Sequence, residues 1–330
     1  MKSSIDEKEE VSIMSAAAVE TLMYVSNEEN GRFVPWHGLG TPVKEAPTSH
    51  DAIRMAGLDW NVDSKPIFTA DGMEIPGYKA NTRDIDESVL GIVSDRYQVV
   101  QNKEAFEFTD ILIGEGCTYE TAGSLFNGKK IFLLAKMPST KILGDDVEPY
   151  LCFTNNHSGT GAIQACMTPI RVVCNNTLNL ALNQASRKWS TRHVGDIASK
   201  LAEAKHTLML ADDYMTKLDV EADKLANIKI STDETMKMVE ELFPIAEGVS
   251  ERRKATIVQV RNDFINCLNA PDIVQFKNTG WGMINAASDW MSHSTPKRNT
   301  STYAERNFNR ILEGHEVLDN VYHLVNRLAA

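Results

Sequence analysis

No apolar run in this chain approaches the roughly 20 residues needed to cross a bilayer as a helix, so a membrane-spanning helix is not expected. Cysteine is scarce, five residues in 330, an odd number without the spacings of a disulfide framework. That pattern argues against a secreted scaffold and fits a reducing cytoplasm. The first residues, MKSSIDEKEEVSIMS, lack both a basic n-region and an apolar h-region, so no secretory signal is read there. CxxC, HExxH, GxSxG, Walker A and a strand-to-helix GxGxxG are all missing. These absences remove the zinc-knuckle, zinc-protease, serine-hydrolase, P-loop and dinucleotide-binding classes. No cofactor or metal is expected, and the chain is not read as an enzyme.

What is present begins with an uneven charge. The formal net charge is −11, which by itself disfavours nucleic acid. Residues 1–30 hold seven acids against Lys2 and Lys8, a net of −5, whereas residues 165–207 hold six bases against Asp196 and Glu203, a net of +4. A local basic patch decides phosphate binding more than the total does.

The least ordinary stretch lies between residues 149 and 193. Two apolar runs, Tyr150 to Thr154 and Ala162 to Met167, flank Asn155-Asn156-His157-Ser158-Gly159-Thr160-Gly161. This reads as a β-hairpin, because Gly and Asn tolerate positive φ. Centred on Gly159, such a hairpin sets Cys152 opposite Cys166. Pro169 is expected to break the strand, and from Ile170 onward Ile170, Val173, Cys174, Thr177, Leu178, Ala181 and Leu182 fall on one helical face, with Arg171, Asn175 and Asn179 on another. Arg187-Lys188-Trp189-Ser190-Thr191-Arg192-His193 then interleaves bases with an aromatic residue.

Around this stretch the chain reads as α+β. The first half is strand-rich. A helix capped by Thr48 or Ser49 ends at Gly57, a hairpin turns at Asp71-Gly72, and a third strand runs from Ser88 to Val100. A helix over Lys103–Ile113 with Asn102 as cap completes a β-β-β-α unit, and a further hairpin turns at Asn127-Gly128. Residues 138–148 read as a loop. From Asp196 the signal is helical. Ile197, Leu201, Ala204, Leu208, Ala211, Met215, Leu218, Ala222 and Leu225 step alternately by four and three, predicting one long helix with an Ala-rich seam. Later helices are expected over Thr232–Leu242, Ser250–Leu268, Trp281–Met291, Tyr303–Leu312 and Glu316–Leu328. The expected organisation is an acidic N-terminal segment (1–30), an α+β core domain (31–195) and a helical domain (196–330).

Three chemistries can be built from these residues. Cys152, His157, Cys166 and Cys174 are soft metal ligands, but their C-x4-H-x8-C-x7-C spacing matches no zinc knuckle, and cysteine commonly serves as a small core residue. Cys174 near a helix start, with His157 or His193 as base, is a candidate nucleophile, although it lies on the apolar face of its helix. For nucleic acid, Lys129, Lys130, Arg171, Arg187, Lys188 and Arg192 suit phosphates. Trp189 suits base stacking, and Asn155, Asn156, Asn175 and Asn176, with His157, suit sugar or phosphate. The structural alternatives are a core anchor for Trp189 and a local network for the asparagines.

Trp36-His37-Gly38-Leu39-Gly40, Asn155-Asn156-His157-Ser158-Gly159, Arg171-Val172-Val173-Cys174-Asn175-Asn176-Thr177-Leu178 and Thr279-Gly280-Trp281 together resemble the phage/plasmid-like protein family of unknown function, over roughly residues 25–325. Ser158 stands where many relatives carry an aspartate, so no acid role is assigned there. The resemblance implies a protein of a mobile element acting in the host cytoplasm. The β-β-β-α order is also analogous, at the level of fold alone, to phage single-strand annealing proteins of the Red-beta type. The leading expectation is an oligomeric, non-catalytic, ATP-independent single-stranded DNA-binding and annealing protein of phage recombination. The first alternative is a protein that binds and inhibits a host enzyme or defence system, motivated by the acidic N-terminal segment. The second is a His/Cys-dependent hydrolase or nuclease using His37, His157 and Cys174.

Overall fold

A computed structural model describes residues 39, 46, 48–110, 117–171, 176–177, 188–203, 206–294 and 300–329. Helix α1 (Ser49–Met55) starts where Thr48 accepts a hydrogen bond from the Asp51 N–H and stops before Gly57. Strands β1 (Val62–Phe68), β2 (Glu74–Arg83) and β3 (Val89–Ser94) form an antiparallel three-stranded sheet in chain order. Helix α2 (Asn102–Phe106) follows and continues into a 3-10 turn, Glu107–Thr109, giving the β-β-β-α order. The cap is Gln101 rather than Asn102, one residue earlier than the sequence suggests. Asn102 is buried and bonded elsewhere.

The second sheet holds β4 (Thr118–Leu125), β5 (Lys130–Lys136), β6 (Thr140–Ile142), β7 (Asp145–Asn156), β8 (Ile163–Arg171), β9 (Asn176–Thr177) and β10 (Lys188–Thr191). Its order is β10-β8-β7-β5-β4, with β6 on β7 and β9 on β8. Asn127 and Gly128 both have positive φ (59° and 82°), as a type I′ hairpin requires. Residues 138–148, expected as a loop, instead contain β6 and the start of β7, joined by Leu143 and Gly144 at positive φ.

Two expectations fail at β8. The strand runs through Pro169 to Arg171, so Ile170 and Arg171 are extended and Asn176–Thr177 pairs back onto them, where the periodicity predicts a helix. Pro169 is tolerated because it sits opposite Pro149. The Pro149 carbonyl accepts from the Met137 N–H on the β5 side. The pair therefore occupies a non-hydrogen-bonded position between β7 and β8, where neither ring removes a bond from that ladder. The remainder of the expected helix, 172–175 and 178–182, lies outside the described residues, Cys174 included.

Alternation along these strands buries both sheet faces. Ile131, Leu133, Leu151, Phe153, Ala165 and Met167 face one side and join a core with α1, α2 and the C-terminal helices. Phe132, Leu134, Tyr150, Cys152, Cys166 and Ile170 face the other, under Leu39, Phe308 and Leu312. Cys152 and Cys166 are directly opposite, as the hairpin predicts, and both are thiols rather than a disulfide.

The C-terminal half is helical: α3 (Ile197–Glu203), α4 (His206–Asn227), α5 (Thr232–Leu242), α6 (Glu251–Cys267), α7 (Gly280–His293), α8 (Tyr303–Glu313) and α9 (Glu316–Ala329). The long repeat spans α3 and α4. Met215, Leu218, Ala222 and Leu225 of its seam are buried, while Ala204 lies outside the described residues. The capping box forms at α5, with Ser231 and Glu234 exchanging bonds. Helix α7, apolar on nearly all sides, packs against α4, α6 and α9, as an all-round apolar helix must. Helix α8 is amphipathic. Phe308, Ile311 and Leu312 point inward, and Phe308 meets Phe132 at 4.8 Å between ring centroids. None of the described helices is long and apolar enough to cross a membrane.

Candidate functional site

Strand alternation divides the residues singled out in the sequence. Asn155 and Trp189 point to the side of the main core, whereas Lys130, Asn156, Gln164 and Lys188 belong to the α8 side. Neighbours in sequence, Asn155 with Asn156 and Lys188 with Trp189, therefore serve opposite faces.

On the core side a polar network joins the two sheets. Asn155 Nδ2 donates to the Val100 carbonyl at 2.8 Å, and Asn81 Nδ2 donates to the His157 carbonyl at 2.9 Å. Asn102 Nδ2 donates to the Leu58 carbonyl at 2.8 Å, so its Oδ1 faces His157 Nε2 at 2.7 Å as the acceptor. The imidazole therefore carries its proton on Nε2. His157 is fully buried, its ring edge against Trp60, and burial pushes its pKa down to about 3, with the nearby His193 adding to the effect. His193 stacks on Tyr97 at 4.5 Å and donates from Nδ1 to the Gln98 carbonyl at 3.1 Å. Burial lowers its pKa to about 4 against that hydrogen bond. Both rings are neutral near pH 7.

The 157–162 turn is seated against β3. A Cβ on Gly91 would lie 2.3 Å from the Ser158 carbonyl oxygen, and one on Gly159 would lie 2.8 Å from Val93 Cγ1. Only glycine permits this approach, and Gly159 also sits at φ +80°. The Tyr97 hydroxyl, donating to the Asn156 carbonyl at 2.7 Å, closes the joint.

Outside the joint the turn borders two adjoining cavities of about 470 and 710 Å³. Both are lined by Thr160, Gly161, Ala162, Gln164 and Glu313. The first adds Lys129, Lys130 and Ser158, and the second adds Ile92, Tyr97 and Arg192. Lys129 and Arg192 are exposed. Lys130 is not. It is 6% exposed, and its Nζ donates to Asn309 Oδ1 at 2.6 Å and to Glu313 Oε1 at 3.3 Å. Lys188 Nζ donates to the other oxygen, Glu313 Oε2. With its amide turned to suit its neighbours, Gln164 donates to Glu313 at 3.0 Å and accepts from Lys188 at 3.2 Å. Burial works to raise the Glu313 pKa, but the Lys188 hydrogen bond and the two ammonium charges outweigh it and hold the carboxyl below its ordinary value.

Of the predicted residues, Lys129, Lys130, Asn156 and Arg192 come together around the cleft, with Lys188 bonded to its Glu313. Asn155, His157 and Trp189 are turned into the joint and core. Arg171 and Asn176 contribute paired backbone to β8 and β9. Asn175 and Arg187, like Trp36 and His37, lie outside the described residues. Sequence reasoning misses Glu313, Asn309 and Gln164. The available signal is the polar row Glu305, Asn309, Glu313 along a helix whose adjacent row, Phe308 and Leu312, is apolar and seated on the sheet. Among the described residues no group of three or more His, Cys, Asp or Glu could hold a metal ion.

A family profile described as a domain of unknown function, DUF932, matches residues 89–312, a stretch containing the turn, both cavities' strands and most of α8. No curated protein and no solved structure matches the chain.

Proposed function

We propose, for a chain that belongs to the DUF932 family of unknown function, that it is a non-catalytic, ATP-independent protein of a mobile element that binds and anneals single-stranded DNA. The observation that carries this reading is the cleft along residues 158–164, with exposed Lys129 at one end and exposed Arg192 at the other. Between them, Ser158 and Thr160 hydroxyls and the Gln164 amide suit phosphate and sugar oxygens. Such a groove would hold a strand by its backbone and leave base edges available for pairing. Arg187 and the side chain of Arg171 extend the proposal without belonging to the described part of the cleft. His157 is not the base of a hydrolytic site in this reading, because its ring is fully buried and bonded to Asn102.

Fluorescence anisotropy of a labelled single-stranded oligonucleotide at two salt concentrations tests the reading. Binding is expected to weaken steeply with salt, and Lys129→Ala/Arg192→Ala should flatten the log–log slope by about 0.7 for each phosphate no longer neutralised. Absence of binding at low salt, or binding indifferent to salt, would sink it.

One observation favours the alternative of a protein partner, such as a host enzyme or defence factor. The β1–β2 hairpin exposes Phe68 (56%), Met73 (62%) and Tyr78 (54%), an apolar patch of the kind that marks a protein interface. If host lysate yields no stoichiometric partner, or yields the same one with Phe68→Ser/Tyr78→Ser, that alternative fails.

A further inference from the structure

The cleft contains more cationic charge than it displays. Lys130 on β5 and Lys188 on β10 reach toward it across the intervening β7 and β8, and one carboxylate, Glu313, spans both ammonium groups. Glu313 lines both cavities, and its side chain is 37% exposed, against 7% for Lys130 and 20% for Lys188. Glu313 is also the last residue of α8, where the helix dipole disfavours an acid. The carboxylate is therefore there for the lysines rather than for its own helix. Two ammonium groups, a turned amide and one interposed oxyanion form the arrangement that a phosphodiester would find if the carboxylate swung away.

We propose that Glu313 is a built-in phosphate mimic. It masks Lys130 and Lys188 in the unbound protein and yields them to the strand's phosphates on binding. The inference rests on the single-strand reading given above and deepens it. The moving part is the Glu313 side chain. Phe308 and Leu312 keep α8 seated on the sheet, and Asn309 continues to hold Lys130. Gly314, at φ +106°, ends the helix immediately beyond Glu313, so its side chain can swing without unwinding a turn.

The test compares wild type, Glu313→Gln, and Glu313→Gln combined with Lys130→Met/Lys188→Met. A labelled oligothymidylate is titrated over a salt series, and thermal melting confirms folding of each variant. Glu313→Gln should bind more tightly by up to about fivefold, the equivalent of one partly exposed ion pair, with a steeper salt slope. The added lysine substitutions should abolish the gain. Glu313→Gln binding no better than a wild type that does bind overturns the latch and leaves the single-strand reading standing. A gain that survives the lysine substitutions also overturns it, since relief of general repulsion then suffices. Binding by neither wild type nor Glu313→Gln overturns both readings. Should the triple variant melt below the assay temperature, Lys188→Met alone in the Glu313→Gln background discriminates in the same way, with about half the gain removed.

Discussion

The two sides of the β7–β8 turn use similar residues to opposite ends. On the core side, polar groups are buried, uncharged and committed to single partners. Asn155 is held by Val100, His157 by Asn102 and His193 by Gln98. On the cleft side they are charged, partly hydrated and shared, with one carboxylate serving two lysines. A buried hydrogen bond is costly to lose because its partner is left dry, whereas a hydrated ion pair is worth little and exchanges readily. The joint therefore holds the sheets in place, and the cleft is where a ligand can compete.

Acid should separate the two regions most sharply. His157 and His193 have folded-state pKa values of about 3 and about 4, against an ordinary value of 6.5. Below pH 6.5 the unfolded chain takes up protons that the folded chain refuses, so stability falls as pH falls. The loss is roughly 1.4 kcal/mol per pH unit for each ring. Both rings contribute between pH 6.5 and about 4, and His157 alone continues to about 3. Glu313 acts in a different window. Its folded pKa is lowered, so its contribution is complete above the unfolded carboxylate value and fades only as pH drops through the folded one. Urea unfolding at pH 7, 6 and 5 should show a steep decline above the ordinary carboxylate range. A flat profile over that range would mean that the imidazoles are not buried neutral.

The next effect in size is steric. Gly91→Ala places a methyl group 2.3 Å from the Ser158 carbonyl, and backbone on both sides leaves no cheap relief. Overpacking of this kind should cost about 3 kcal/mol, read from the denaturant midpoint. A loss under about 1 kcal/mol would show that the turn rides loosely on β3, and the contrast between a fixed joint and an adaptable cleft would dissolve.

These residues also show what a linear reading captures. Turns and caps are legible because their chemistry is local. Thr48, Ser231, Asn127-Gly128 and the Cys152–Cys166 register all follow from neighbours a few positions away. The helix expected from Ile170 fails because, in a linear reading, Pro169 stands as a strand breaker. Whether a proline breaks a ladder depends on which side of the strand its missing N–H faces. The site is half legible for a related reason. Composition gathers Lys188 and Trp189 into one basic-aromatic motif, but a strand sends them to opposite faces. Glu313, 125 residues from Lys188, enters only through the fold.

The smallest predicted effect closes the comparison from the cleft side. A double-mutant cycle on Lys188 and Glu313, using Lys188→Met and Glu313→Gln, should return a coupling of about 0.5–1 kcal/mol at pH 7, because both side chains retain contact with water. The coupling should shrink as salt is raised toward 1 M, where the Debye length falls to about 3 Å. The acid sensitivity set by His157 and His193 should persist, since it arises from desolvation of buried rings rather than from long-range charge. A Lys188–Glu313 coupling of about 3 kcal/mol, insensitive to salt, would make the pair a second joint, too costly for any phosphate to displace. A small, salt-sensitive coupling beside an acid-labile, salt-insensitive joint leaves the carboxylate as the part of this surface that can be exchanged.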